Sequence, residues 1–520
     1  MATGLTLQTA IKGAPESTAV IVPGTPALTV TYQDLVSETA AFQAKLAAIG
    51  IARDSAVSIA IVNSYEFIVA FLAASWQRAI AAPLNPAYKQ GEFEFYIGDV
   101  RSAIVLVPRG AYEAGSPAVK AAQKFDAAVA ECYWDAARRE VALDVKELGR
   151  LKAAGRRKQP VLKPQPDDIA LVLHTSGTTS RPKVVPLSHR NLTRTMHNIQ
   201  QTYQLAPSDR TLLVMPLFHV HGLLCGLLAP LLSGGSVIVP PRFSASDFWR
   251  DFVAYQANWY TAVPTIHQIL LKHPAPSPLP PIRFIRSCSS PLSPTVFHAL
   301  ERTFRAPVLE AYAMTEAAHQ MTSNPLPSVG PRKPGTVGLG QGVEVVILDE
   351  AGNPVPEGGE GEICIRGENV TAGYLNNPTA NAAAFTEDGY FRTGDQGRKD
   401  PDGYVIITGR IKELINKGGE KISPIELDNV LARHPAVSEA VSFAIPDEIY
   451  GQEIAVAVVL KPGLRLSEAE LKSWVAEKLA KFKIPKKVYF TDVMPKTATG
   501  KIQRRIVAEA MQKQEGRSRL

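Results

Sequence analysis

The stretch LVLHTSGTTSRPKVVPLSH, Leu171 to His189, crowds hydroxyl residues, a glycine and two cations behind an apolar run. Strand IALVLH would carry its C-terminal end into Thr175, Ser176, Gly177, Thr178 and Thr179, and open α/β sheets bind ligands at such ends. Gly177 permits close backbone approach, the hydroxyls donate, and Lys183 adds a cation for phosphate oxygens. The parts suit a polyphosphate. The order G-x-x-x-x-G-K-[ST] of the Walker loop is absent, because Val184 follows Lys183 and no second glycine follows Gly177 in the loop.

Further along, single residues are ambiguous. Asp395 in TGDQG reads alone as a turn former, Tyr312 as a core aromatic, and Lys501 after Gly500 as solvated surface. The series is not ambiguous: the loop is followed by Pro216-Leu217-Phe218-His219, Ala311-Tyr312-Ala313-Met314-Thr315-Glu316, Tyr390-Phe391-Arg392-Thr393-Gly394-Asp395, Gly409-Arg410-Ile411-Lys412-Glu413 and Pro495-Lys496-Thr497-Ala498-Thr499-Gly500-Lys501. In type and order these six motifs, covering 171 to 501, resemble those of the adenylate-forming superfamily, which includes acyl-CoA synthetases, 4-coumarate-CoA ligases, luciferase and peptide-synthetase adenylation domains. The departures are Ser180 and Val184, where the family usually has glycine; both lie outside the core of the motif and are expected to alter the loop's flexibility.

The resemblance implies activation of a carboxylic acid by ATP and its transfer to coenzyme A. Attack of one anion on another needs cations and donors around the phosphates. By resemblance, Lys183 and the loop Thr175 to Thr179 would hold the β- and γ-phosphates, and Glu316 would ligate Mg²⁺, which takes few protein ligands. Asp395 and Arg410 would hold the ribose, and Tyr312 would stack on adenine with Ser289 on the other face. Glu310, Ala311 and Thr315 would complete the nucleotide site. Lys501 would bridge the incoming carboxylate and the α-phosphate. Lys412 occupies the hinge position, and Gly418 and Gly419 would line the coenzyme A arm once the C-terminal domain turns.

The acyl pocket of such enzymes lies between the PLFH segment and the Tyr312 motif. Here it would receive His219, His221, Ser289 and His319, with His219 also placed to gate the channel. A long-chain acid wants an apolar tunnel, and an amino acid wants an aspartate for its amine. Histidine and serine donors instead suit a short acid carrying a second carboxylate. AMTEAAHQMTSNPLP, NKGGEKISP and the C-terminal Ser518-Arg519-Leu520 resemble the plant and fungal oxalyl-CoA synthetases, the fungal ones peroxisomal. The alternatives are a 4-coumarate- or medium-chain acyl-CoA ligase and, more remotely, a basic nucleic-acid binder.

Strands and helices must position these residues. From about 30 to 340, β-branched runs alternate with helical patterns (VSIAIV then SYEFIVAFLAASWQ; IALVLH then HRNLTRTMHNIQQTY), the signature of an α/β, helix-covered parallel sheet. Hairpin texture follows at about 341–410, and a smaller α+β order from 411 to 520. The expected architecture is an N-terminal adenylation core, 1–410, with a mobile C-terminal lid, 411–520. A chain of 520 residues is long enough for both.

Composition narrows the classes. With 45% hydrophobic and 20% charged residues the chain is globular, and its +7 net charge fits anionic small ligands without requiring a specific nucleic-acid partner. Four scattered cysteines argue for a reducing compartment and against a zinc site. No run approaches the roughly 20 apolar residues of a membrane span, and no leader pattern opens the sequence. The terminal Ser518-Arg519-Leu520 resembles the Ser-Lys-Leu peroxisomal address, so an import receptor is the expected partner, with the cytoplasm as a second location.

Overall fold

The computed structural model describes residues 4–152, 158–175, 182–496 and 502–518. Two large sheets form the N-terminal part. In one, strands Arg210–Leu212, Ser236–Ile238, Trp259–Ala262, Phe284–Ser287 and Val308–Met314 run parallel, and antiparallel strands close both ends, Leu28–Thr31 at one and His319–Ser323 with Leu339–Gly340 at the other. The second sheet has a parallel centre of Ala56–Ile59, Ile80–Pro83, Ile104–Val107 and Ile169–Thr175, again with antiparallel flanks.

Helices fill the space between the sheets. Helix Tyr65–Trp76 has no polar face, and a helix apolar all round is a buried one; each residue from Phe67 to Trp76 is buried. Its start is fixed by Ser64, whose hydroxyl accepts the N–H of Phe67. Helix His189–Tyr203 touches strand Lys183–Ser188 of one sheet and His319–Ser323 of the other. One hydrophobic cluster therefore runs through both sheets.

A four-stranded antiparallel sheet follows, built from Glu344–Leu348, Gly361–Arg366, Phe391–Lys399 and Val405–Arg410. The C-terminal sheet carries a long antiparallel pair, Val437–Asp447 with Gly451–Leu460, and packs helices Pro424–Leu431, Glu468–Ala476 and Arg504–Ser518. The expected class of helix-covered sheets, a β-rich part and a smaller α+β unit is the one observed. All four cysteines are buried and free. No helix among the described residues is long and apolar enough to cross a membrane.

One local expectation changes. Strand Ile169–Thr175 does not lead straight to a helix: it pairs antiparallel with Lys183–Ser188, with Thr175 opposite Lys183 and His174 opposite Val184. The hydroxyl-rich loop thus closes a hairpin at a sheet edge. Val184 is a strand residue, buried against Ala82 and Val172, and its carbonyl accepts the N–H of Leu375. A β-branched residue suits that place better than glycine, so Val184 is part of the strand scaffold and not of the loop.

Candidate functional site

Residues 176–181, 497–501, 519 and 520 lie outside the described residues, so the expectations for Ser176, Gly177, Thr178, Thr179, Ser180, Lys501, Arg519 and Leu520 have no structural counterpart here. The rest of the site is described.

Register brings Thr175 and Lys183 side by side at the mouth of the hairpin. Thr175 Oγ1 lies 3.5 Å from Glu316 Oε1, and Tyr374 Oη donates to the same oxygen at 3.0 Å. Lys183 Nζ sits 4.4 Å above the Tyr374 ring. Glu316 is held by the short turn Thr315–Ala317 after strand Val308–Met314, and its carbonyl accepts the N–H of Thr371. Burial pushes the Glu316 carboxyl above the usual range against the opposing pull of Tyr374, Arg410 and Lys183. Burial and the nearby Lys412 push the Lys183 ammonium down, with Glu316 opposing. Each charge is thus under-compensated by the protein, and a phosphate for Lys183 and a divalent cation for Glu316 would complete them. The donor set of carboxylate and hydroxyl oxygens is the hard one magnesium takes. Among the described residues no group of three or more His, Cys, Asp or Glu gathers as a metal cage.

A second cluster is built by cross-strand pairing. Asp395 and Arg410 are register partners on neighbouring antiparallel strands, and Arg410 Nε donates to Asp395 Oδ1 at 2.8 Å. Tyr312 Oη donates to the other carboxylate oxygen. The Asp395 charge raises Arg410 further and, after burial, raises Tyr312. An ionised carboxylate has about four lone-pair sites, so after these two bonds Asp395 still has capacity for two ligand hydroxyls. Ala311 and Tyr312 are buried on the same strand. Glu310 is also on it, but its carboxylate accepts from Gly335 N at 3.0 Å and its carbonyl from Asn324 N, which ties it to neighbouring segments of the chain.

The third cluster gathers the histidines. His221 opens a buried π-helical segment, His221–Leu228, a turn type enriched at functional sites. The next residue must be glycine, since a Cβ at Gly222 would sit 2.2 Å from the Pro216 carbonyl oxygen. His221 Nδ1 faces Ser289 Oγ at 3.1 Å and its Nε2 faces Thr261 Oγ1 at 2.6 Å. The His319 ring stacks on it, centroids 5.1 Å apart and 25° between planes. His319 is buried, and among the described residues neither ring nitrogen has a hydrogen-bond partner. Burial, with Arg286 and the other histidines nearby, keeps its imidazole neutral. Ser289 and His319 both have positive φ, 71° and 102°, backbone strain that the surroundings must hold. Part of that hold is buried Asn369, which donates to the carbonyls of Ala317 and Gln320. His219 is half-buried two residues earlier, its Nδ1 accepting from His221 N.

The remaining expected positions are at the C-terminal side. Lys412 is exposed in the turn Ile411–Glu413 between the four-stranded sheet and the C-terminal sheet. Gly418 and Gly419 form the two-residue loop of hairpin Ile415–Lys417/Glu420–Ile422, with φ of 59° and 95°, values that glycine adopts freely. Residues not singled out from sequence are Tyr374, Thr371, Asn369, Thr261 and Arg286. A tyrosine after Ala-Gly in ENVTAGYLNN carries no local signal, whereas an arginine inside the apolar run FIRS does. The surface cleft lined by Gly24, Leu212, Arg242, Phe243 and Asp251 contains none of these residues.

Taken together, a lysine beside a buried carboxylate and hydroxyls, and a carboxylate–guanidinium–phenol cluster, have the donors and charges of a nucleotide-dependent enzyme. Comparison with known proteins gives the particular family. A family model described as "AMP-binding enzyme" matches residues 7–375, and one described as "AMP-binding enzyme C-terminal domain" matches 426–501. The chain belongs to the AMP-binding enzyme family. It is 51% identical to an oxalate–CoA ligase of Saccharomyces cerevisiae (96% of this chain, 95% of that one) and 49% identical to an oxalate–CoA ligase of Arabidopsis thaliana (97% of each). Among solved structures it resembles ATP-bound MatB from Rhodopseudomonas palustris, with a TM-score of 0.86, 30% identity and coverage of 97% and 98%.

Proposed function

We propose that the protein is an ATP-dependent acid–CoA ligase that converts oxalate, ATP and coenzyme A into oxalyl-CoA, AMP and diphosphate. The observation that carries the reading is the histidine cluster: a short, polar lining of imidazoles and hydroxyls at the acid's end, where a fatty or aromatic acid would want apolar walls. The near-50% identity to two oxalate–CoA ligases supports it.

In the first step a carboxylate oxygen attacks the α-phosphorus and the bond to diphosphate breaks. Thr175, the hydroxyl loop and Lys183 hold the β- and γ-phosphates; Tyr312, Asp395 and Arg410 hold the nucleoside, Asp395 accepting from the ribose hydroxyls. Ala311, Thr315 and the Ser289 backbone complete that wall, with Glu310 bracing it. Lys501 brings the two anions together. When bound, Mg²⁺ supplies charge neutralisation on the phosphates, and Glu316 is the residue that would hold it. Ser289, His221 and His319 take the distal carboxylate, and His219 lines the approach. In the second step the coenzyme A thiol attacks the adenylate carbonyl and AMP leaves. For that step residues 411–520 rotate as a lid about Lys412 relative to the core 1–410, and Gly418 and Gly419 come to the pantetheine arm.

Diphosphate release with a panel of acids, with and without coenzyme A, tests the reading. Oxalate should give the highest kcat/KM; a signal from 4-coumarate or hexanoate with none from oxalate would sink it. We further propose that Ser518-Arg519-Leu520 acts as a peroxisomal address, checked by the location of a fluorescent fusion with and without the tripeptide.

A further inference from the structure

Arg286 is among the largest fully buried side chains of the molecule, on the central strand Phe284–Ser287. An arginine stays protonated in proteins, and a buried charge is normally paired with an opposite one. Among the described residues, the hydrogen-bond partners of this guanidinium are neutral groups. Nε donates to Tyr203 Oη at 2.7 Å, Nη2 to Gln320 Oε1 at 3.2 Å and Nη1 to Thr261 Oγ1 at 3.2 Å, while Nη1 also lies 3.4 Å from His221 Nε2. After burial itself, the groups that act on it most are Cys225, Tyr203 and Cys288, and no carboxylate is among them. A buried cation of this kind waits for an anion the chain does not supply.

The same contacts set the direction of a hydrogen-bond chain. Thr261 and Arg286 are register partners on adjacent parallel strands. A guanidinium only donates, so its approach to His221 Nε2 makes that nitrogen an acceptor. The Thr261 hydroxyl, at 2.6 Å, must then donate to Nε2, which puts the His221 proton on Nδ1 and points it at Ser289 Oγ. Ser289 accepts that bond, and its own hydroxyl proton is left for a ligand. Ser289 is half-buried, whereas Arg286, Thr261 and His221 are buried, so the chain runs from the core to an accessible donor. Stacked His319 adds an imidazole whose nitrogens are unpartnered among the described residues.

We propose that Arg286 is the specificity-determining positioning residue of the acyl site: its buried charge counterbalances the distal carboxylate of a dicarboxylic acid and, through Thr261 and His221, orients Ser289 as a donor to it. This rests on the acid-ligase reading above and deepens it by naming what selects a dianion over an acid with a neutral end.

The test compares kcat/KM for diphosphate release with oxalate and with oxamate, its near-isosteric monoamide. Wild type should favour oxalate. Arg286→Met should lower the oxalate-to-oxamate ratio about 100-fold, the scale on which a site built for a charged or hydrogen-bonding group discriminates. Arg286→Lys, which keeps the charge, should restore most of the ratio. Thr261→Val, near-isosteric and uncharged, should lower the ratio about tenfold by cutting the chain alone. An Arg286→Met enzyme that loses both acids equally, or keeps the wild-type ratio, would overturn the assignment and leave Arg286 a folding residue. Should that variant not fold, an unchanged ratio in Thr261→Val overturns the orienting role. A wild type inactive on oxalate refutes the oxalate reading separately; malonate against malonamate then reads Arg286, and the assignment falls if no dianion is preferred to its monoamide.

Discussion

Glu310 and Tyr312 share one strand, yet their surroundings ask different things of them. Burial pushes the Glu310 carboxyl up to about 8. The fold therefore favours its neutral form, so its contribution to stability is complete below the ordinary carboxyl range and is lost as pH rises toward about 8. Glu310→Gln keeps an acceptor for the Gly335 N–H and cannot ionise. Its melting temperature relative to wild type should climb by about 3 °C or more between pH 5 and pH 8; a difference that stays flat would mean that Glu310 is ionised in the fold throughout. At this scale the sequence was most legible where residues belonged to ordered motifs, as with Lys183, Glu316, Asp395 and Arg410, which the structure brings together in two clusters. It was least legible where a partner arrives from a segment with no motif. Tyr374 meets Glu316 across 58 positions, and nothing in its neighbours announces that meeting.

The elements explain the other mismatch. Alternating strand and helix patterns foretold parallel centres correctly, but the antiparallel flanks were not foreseen, because Lys183–Ser188 is short, contains Pro186 and begins with a lysine, features that mask a strand. Edge position permits them: a proline is tolerated where no further strand needs its N–H. The consequence falls on Val184. Val184→Gly removes a buried side chain from a packed strand and should cost about 2 kcal/mol, seen as a lower melting temperature. The KM for ATP should shift less than about threefold, since Lys183 remains in register. A variant with wild-type stability and a much altered KM would return Val184 to the loop's chemistry.

For the whole molecule, the bonds between the four-stranded sheet and the C-terminal sheet are few in kind: Lys421 pairs with Glu350 at 2.8 Å with both side chains largely exposed, and Ser423 donates to the Thr408 carbonyl. An exposed pair contributes little, so Lys421–Glu350 would offer little resistance to the proposed turn about Lys412. Inside the C-terminal unit Arg504 is tied to Glu413 and Asp428, which braces helix Arg504–Ser518 against the turn Ile411–Glu413. If that unit moves as a body, Lys501 serves only the first half-reaction. Lys501→Ala should then lower adenylate formation by about 100-fold or more while largely sparing thioester formation from supplied oxalyl-adenylate, measured by single-turnover kinetics. Equal losses in both halves would contradict rotation. Domain-scale behaviour of this kind was visible in sequence only through family resemblance, because hydrophobic periodicity reports which faces are buried and says nothing of which units turn.

The clusters also differ in where they are hung. Tyr312 and, just beyond the strand's end, Glu316 depend on Val308–Met314, whereas Thr261 and Arg286 come from the two preceding strands of the same sheet. The two sets meet at Val308–Met314, which pairs directly with Phe284–Ser287. On the roles proposed above, the choice of acid and the use of ATP would be separately heritable in evolutionary terms: drift on strands 259–262 and 284–287 would retool the scaffold for a new acid while its energy-coupling parts pass down unaltered, and strand 308–314 is where the two histories would be bound to each other.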